Sequence, residues 1–222
     1  MVSDNLIELK EISFSYPGGR KIFEDLSFNF PKGAKLGLIG ANGSGKTTLL
    51  HLIMGLIQRS KGEIRLFGEP CEKESEFRKA RLKIGFVFQD ANDQLFCPTV
   101  KDDIAFGPLN MGRSQKETDK IVEETLELLN LMDFRDRVTY ALSDGEKKLI
   151  SIGTALAMLP EMLILDEPTT CLDENAVERV VQVLTDCNLP YLVVTHDKQF
   201  LERVVTSRVK LDNSTITRMP AY

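Results

Sequence analysis

The stretch Gly40-Ala-Asn-Gly-Ser-Gly-Lys-Thr-Thr48 constrains this chain more than any other. It fits the pattern G-x-x-x-x-G-K-[S/T] at Gly40, Gly45, Lys46 and Thr47. Each residue type has a physical task. Glycines let the backbone wrap tightly and turn its N–H groups inward on anionic oxygens. Lys46 brings a point charge to the β- and γ-phosphates, and the Thr47 hydroxyl suits Mg²⁺. The surroundings agree: Ala34 to Ile39 reads as a buried strand, and Thr47 to Ile57 as a helix whose N-terminus faces the phosphates. The expected nucleotide contacts are Asn42, Gly43, Ser44, Gly45, Lys46, Thr47 and Thr48.

A chain of 222 residues can bury a full core around such a loop. Its net charge of −5 lacks the basic excess of a general nucleic-acid binder. Cys71, Cys97, Cys171 and Cys187 are widely spaced, with no C-x-x-C pair, so they read as reduced thiols rather than a disulfide framework or zinc site. No apolar run approaches the roughly 20 residues that span a bilayer. Met1 to Leu6 shows no basic region followed by an apolar core, so no signal peptide is expected. These features predict a cytoplasmic chain that reaches a membrane only by docking onto another protein.

Periodicity divides the chain into three stretches. The first 68 residues are strand-rich. Ile7 and Leu9 alternate, then Ile12, Phe14 and Tyr16, and the change of parity predicts a bulge or bend. Further strands are expected at Ile22 to Phe30 and Ile64 to Phe67. Residues from about Glu72 to Met158 are mostly helical in pattern, interrupted by a strand at Ile84 to Phe88. Lys116 to Leu129 is amphipathic, with Ile121, Val122, Thr125, Leu128 and Leu129 on one face. The last third alternates again: strand Met162 to Leu165, helix Asn175 to Cys187, strand Tyr191 to Thr195, helix Asp197 to Val205. A hairpin around Asp212-Asn213 closes it. Alternating β and α units around a helical block predict an α/β core with a helical insertion.

Carboxylates and a histidine supplement the loop. The apolar strand from Met162 ends in Asp166 and Glu167. Asp166 suits Mg²⁺, and Glu167 suits a base or water-positioning group in phosphoryl transfer. Gln89 follows another apolar strand and can reach the metal or its water, or serve as an ordinary loop residue. His196 follows the strand from Tyr191. Open α/β sheets hold ligands at the carboxyl ends of their strands, so these residues are expected on one sheet edge with the loop. His51 lies within a helix and reads as structural. Ser143-x-x-Glu146 has the form of a capping box, and the exposed N–H groups after Ser143 form a candidate second phosphate site.

Together these motifs resemble the ATP-binding subunit of an ABC transporter, over nearly the whole chain. Gly40 to Thr47 is similar to Walker A, Leu165-Asp-Glu-Pro-Thr169 to Walker B, Gln89 to the Q-loop glutamine, Leu172-Asp173 to the D-loop, His196 to the switch histidine and Leu142 to Lys148 to the signature. The resemblance implies an ABC-type P-loop ATPase core with an N-terminal antiparallel β subdomain and an inserted helical lobe. It implies one ABC ATPase domain over residues 1–222, with 1–88 and 160–222 as core and about 89–159 as lobe. Tyr16 would stack on adenine. Thr47, Gln89 and Asp166 would hold Mg²⁺, and Glu167, His196 and Gln89 would be catalytic. Ser143, Asp144, Gly145 and Glu146 would contact ATP held by a second ATPase subunit, and Asp173 would couple the two sites. Phe14-Ser-Tyr-Pro-Gly18, Phe88 to Phe96 and Ala105 to Asn110 resemble ATPases of energy-coupling-factor and cobalt/nickel importers. That narrower likeness implies transport of a transition-metal ion or vitamin, with a transmembrane coupling subunit on the inner face of the cell membrane and no nucleic acid. Alternatives are a soluble ABC ATPase without transport, or a regulatory ATP-binding subunit of weak turnover.

Two departures from the family pattern stand out. Asp144 and Glu146 replace the glycine and glutamine of L-S-G-G-Q. Carboxylates favour a helix start through its dipole but oppose an approaching triphosphate. This suggests a signature weak toward a partner's ATP, which suits a heterodimer better than a homodimer. The chain also ends at Tyr222, soon after its hairpin, whereas many relatives carry a further dimerising segment; this predicts a monomer without ATP.

Overall fold

A computed structural model describes residues 4–220; Met1 to Ser3, on which part of the signal-peptide reading rests, and Ala221 and Tyr222 lie outside the described residues. In chain order the elements are β1 (Asn5–Ser15), β2 (Lys21–Pro31), β3 (Lys35–Ile39), α1 (Lys46–Ile53), β4 (Lys61–Leu66), β5 (Glu69–Pro70) and α2 (Glu74–Arg81). Then come β6 (Ile84–Val87), α3 (Val100–Asn110), α4 (Gln115–Leu128), α5 (Asp144–Ala157), β7 (Met162–Asp166) and α6 (Glu174–Asp186). The chain closes with β8 (Tyr191–Val194), α7 (Lys198–Val204), β9 (Ser207–Asp212) and β10 (Thr215–Met219). The fold class is α/β, with one antiparallel sheet and a second set of mostly parallel strands flanked by helices.

The chain forms two compact units. The first combines residues up to Arg81 with Pro190–His196 and the stretch from Val205. Its antiparallel sheet runs β2-β1-β4-β5. The parity change in β1 is a true irregularity: the register with β2 shifts between Leu9 and Ile12, and Glu11 takes a φ of 51°. The bulge lets Ile7, Leu9, Ile12 and Phe14 all bury their side chains although their spacing is not uniform. The same unit carries strands in the order β10-β9-β3-β8, with β3 parallel to both neighbours. Leu36 and Leu38 of β3 are buried, as are Leu49, Leu50, Leu52 and Ile53 of α1.

Helix α1 is shorter than its hydrophobic pattern predicts. It ends at Ile53 because Gly55 turns left-handed, with φ 65°. The amide of Leu56 reaches the His51 carbonyl and that of Gly55 the Leu52 carbonyl, the paired bonds of a Schellman cap. A Cβ on Gly55 would lie 2.4 Å from the Phe77 ring, so both the conformation and the space require glycine.

The second unit comprises Leu82–Leu189 with Asp197–Val204. Strands β6 and β7 pair in parallel, from Ile84 beside Met162 to Val87 beside Leu165. Helix α4 starts at a capping box in which Ser114 accepts from the Glu117 amide while the Glu117 carboxylate accepts from Ser114. Its buried face is Thr118, Val122, Thr125 and Leu126, with Leu129 just beyond. The expected face therefore needs correction at Leu128, which is exposed, while Leu126 is fully buried in its place. The i, i+4 step from Val122 selects Leu126 and turns Leu128 outward. No helix among the described residues is long and apolar enough to cross a membrane, and the four cysteines are free.

Candidate active site

Each unit carries a group of the expected residues. In the first, β3 runs parallel to β8, with Leu38 beside Val194. The loop from Gly40 and the exposed His196 therefore follow the carboxyl ends of neighbouring strands. The loop is wound around its own lysine: Lys46 Nζ donates to the carbonyls of Gly40 at 2.9 Å and Ala41 at 3.1 Å. Gly43 and Gly45 take φ values of 76° and 99°, which L side chains rarely adopt. A Cβ on Gly45 would also meet Ile22 and the Phe23 ring at 2.8 Å. The Ser44 hydroxyl is buried with no hydrogen-bond partner among the described residues. A buried hydroxyl of that kind, a tethered ammonium and left-handed glycines at a helix start fit phosphate oxygens. Tyr16 stands beside the loop. Its hydroxyl meets Thr48 Oγ1 at 3.1 Å, and its ring lies edge-on to Phe14 at 4.9 Å while remaining 39% exposed.

In the second unit the parallel pairing of β6 with β7 brings Gln89 and the pair Asp166 and Glu167 to adjacent strand ends. Asp166 is buried at 2% exposure, closing an all-buried strand. Glu167 takes a φ of 48°, a left-handed backbone that non-glycine residues adopt at a cost of about 1–3 kcal/mol. Such a conformation is kept where the surroundings over-determine it, as at a reacting group. Gln89 is exposed, and its backbone carbonyl accepts from Lys148 Nζ at 2.6 Å.

The signature stretch forms the N-terminus of α5 in this same unit. Ser143 is its cap: Ser143 Oγ accepts from the Glu146 amide, and the Ser143 amide and hydroxyl donate to Glu146 Oε2 at 2.7 and 2.8 Å. These two bonds hold the Glu146 carboxyl below its ordinary pKa, and the Arg137 guanidinium 3.5 Å away adds to the shift. Asp144 is exposed in the first turn. Gly145 has a structural duty: a Cβ there would lie 2.8 Å from the Cys171 carbonyl, so the helix start packs against the turn before Asp173. The Asp173 carboxylate itself caps α6, accepting from the Ala176 amide at 2.7 Å.

Two residues escape reasoning from motifs alone. Lys148 is buried at 3% exposure and holds the carbonyls of Phe88 and Gln89. Burial lowers its pKa, against the pull of the Asp166 charge. Gln94 joins the same loop to α5. A signal for Lys148 does exist: it shares the i, i+3, i+4, i+7 stripe with buried Ser151, Ile152 and Ala155, where a charge is out of place.

Comparison with known proteins agrees with this fold. The ABC transporter family pattern matches residues 23–170. The chain is 45% identical over 211 residues to a Brucella suis protein provisionally named an ABC transporter ATP-binding protein, covering 95% of this chain and 87% of that one. It is 38% identical over 207 residues to the energy-coupling factor transporter ATP-binding protein EcfA of Methanothermobacter thermautotrophicus, covering 90% and 67%. Among solved structures, cbiO1 of Clostridium perfringens, described as part of the ABC transporter complex cbiONQ, superposes with a TM-score of 0.84 at 29% identity, covering 97% of this chain and 88% of that one. An ATP-binding cassette solved as a dimer in a post-hydrolysis state with ADP and phosphate gives 0.87 at 26%, covering 97% and 100%.

Proposed function

We propose a place for a chain that belongs to the ABC transporter family of ATP-binding subunits: it powers an importer of a transition-metal ion, such as cobalt or nickel, or of a vitamin. As a member of that family it is an ATPase whose substrate is ATP and whose cofactor is magnesium. The single observation that carries the importer reading is its similarity to EcfA and to cbiO1.

The residues take roles that follow from their chemistry. The amides after Gly43 and the Lys46 ammonium bind phosphate oxygens, and Tyr16 offers an exposed ring to the base. By the family resemblance, Thr47, Asp166 and Gln89 would hold magnesium, directly or through water. When bound, the metal neutralises charge on the transferring phosphoryl group. Glu167 orients a water and takes its proton, and His196 senses the γ-phosphate. The family's dimeric arrangement assigns Ser143 and Gly145 to ATP held by a second ATPase subunit. For Ser143 this means giving up the bond to Glu146, whose charge opposes the incoming phosphate. A heterodimer, in which the partner supplies an unencumbered signature, fits that geometry best.

Docking to a membrane-spanning subunit is supported by an aromatic pair in the second unit. Phe96 and Phe106 stack edge-on at 4.7 Å and remain 65% and 47% exposed. Exposed aromatics of this kind suit a partner's helix, close in sequence to Gln89. The test has two arms. Parent and Glu167→Gln proteins are compared for release of phosphate from Mg-ATP; equal turnover would end the catalytic reading. The tagged chain is then recovered from native membranes, where co-purification with a polytopic membrane protein and a second ATPase is expected. Recovery with ribosomes or DNA instead would favour the soluble alternative.

A further inference from the structure

We infer that Lys148 is a positioning residue that sets Gln89 from the signature helix, so that α5 and the loop after β6 move as one body. This rests on the functional reading above, which gives Gln89 its role. The geometry lies wholly within the second unit. Lys148 ends the signature stretch, two residues after Glu146, with its ammonium buried. Lysine normally extends its charge to solvent, and burying an ammonium is unfavourable unless its donors are satisfied. Its recorded bonds are to main-chain carbonyls, 2.9 Å to Phe88 and 2.6 Å to Gln89.

Two more side-chain ties run alongside. Gln94 Nε2 donates to the Ser151 carbonyl and to Thr154 Oγ1, each at 2.7 Å, while its Oε1 accepts from the Phe88 amide at 3.1 Å. Lys147 donates to Asn92 Oδ1 at 2.9 Å. The loop over residues 88–94 is thus laced to α5 at both ends and in the middle. Among these ties only Lys148 holds Gln89 itself. A contact made at Ser143 by a nucleotide is rigidly connected, through less than two turns of helix, to the backbone that aims the Gln89 side chain.

The experiment uses the full chain and compares the parent with Lys148→Met, which keeps length and loses the charge, and Lys148→Arg, which keeps the charge. Without nucleotide, hydrogen exchange over residues 88–94 should rise about tenfold in Lys148→Met, with α1 unchanged and Lys148→Arg in between. In Mg-ATP hydrolysis Lys148→Met should lower kcat by roughly ten- to a hundredfold and leave KM for ATP within about twofold. In a Gln89→Ala background the same change should add nothing. Unchanged exchange, or a loss that adds fully to that of Gln89→Ala, would overturn the inference in favour of a general packing role. Should Lys148→Met fail to fold, Lys148→Arg carries the same cycle. A parent no faster than Glu167→Gln would sink the ATPase reading, while the exchange result would still decide whether Lys148 holds the loop.

Discussion

Ser143 and Glu146 hold one another at the start of α5, and the bond has a pH dependence. Because folding keeps the Glu146 carboxyl below its ordinary pKa, the folded state prefers it ionised. The stabilisation is therefore present above the ordinary carboxylate range and lost as pH falls through it toward the depressed value. A capping box of this kind contributes about 1 kcal/mol. Thermal melts of parent and Glu146→Gln proteins should differ near neutrality, and the difference should shrink as pH falls below the ordinary carboxylate range toward the depressed value. A constant difference across that range would show that the carboxylate's ionisation is not involved. At this scale the sequence was readable where a residue's chemistry is local, as with Ser143, Glu146 and Lys46. It was not readable for Gly145, whose constraint is the Cys171 carbonyl 2.8 Å away, a neighbour that no spacing reveals.

Among elements, α4 shows how packing corrects a pattern. The stripe of apolar residues was sufficient to predict a helix, yet it mistook Leu128 for Leu126 because a short amphipathic segment tolerates a small rotation of its buried face. The same helix buries Thr118 completely, with its hydroxyl unpartnered among the described residues. Removing a buried, unsatisfied hydroxyl without changing shape should stabilise. Thr118→Val is expected to raise stability by about 1 kcal/mol, or Tm by roughly 2–4 °C, in calorimetry. A fall in Tm would mean the hydroxyl is satisfied in solution. Helix α1 teaches the complementary lesson. Gly55 was visible in the sequence, but only the Phe77 ring beneath it and the paired carbonyl bonds explain why the helix stops there.

At the scale of the whole molecule, the chemistry assigned to Glu167 makes a prediction about assembly. If this carboxylate draws the proton from the attacking water, Glu167→Gln binds Mg-ATP without consuming it and should accumulate in the closed, nucleotide-bound dimer. Light scattering of Glu167→Gln alone should then show an unchanged mass with Mg-ATP and a dimer mass only once a second ATPase subunit is added, the arrangement that the Ser143–Glu146 bond favours. A doubled mass for the chain alone with Mg-ATP, and not with Mg-ADP, would show that it closes on a second copy and would overturn the heterodimer reading.

What the sequence indicated by itself is the chemistry proposed for the site. Glycines, a lysine, a threonine and strand-terminal carboxylates point to it by residue type and short spacing, because loop turns and strand ends are local. The bulge in β1 was equally legible, since side-chain parity along a strand is a property of the strand alone. Only the tertiary structure decided what those residues lean on. It placed Tyr16 on Thr48 and the buried Lys148 on the backbone of Gln89. Those partners come from packing between segments far apart in the chain, and packing selects them by shape and hydrogen-bond satisfaction, which a one-dimensional pattern does not encode.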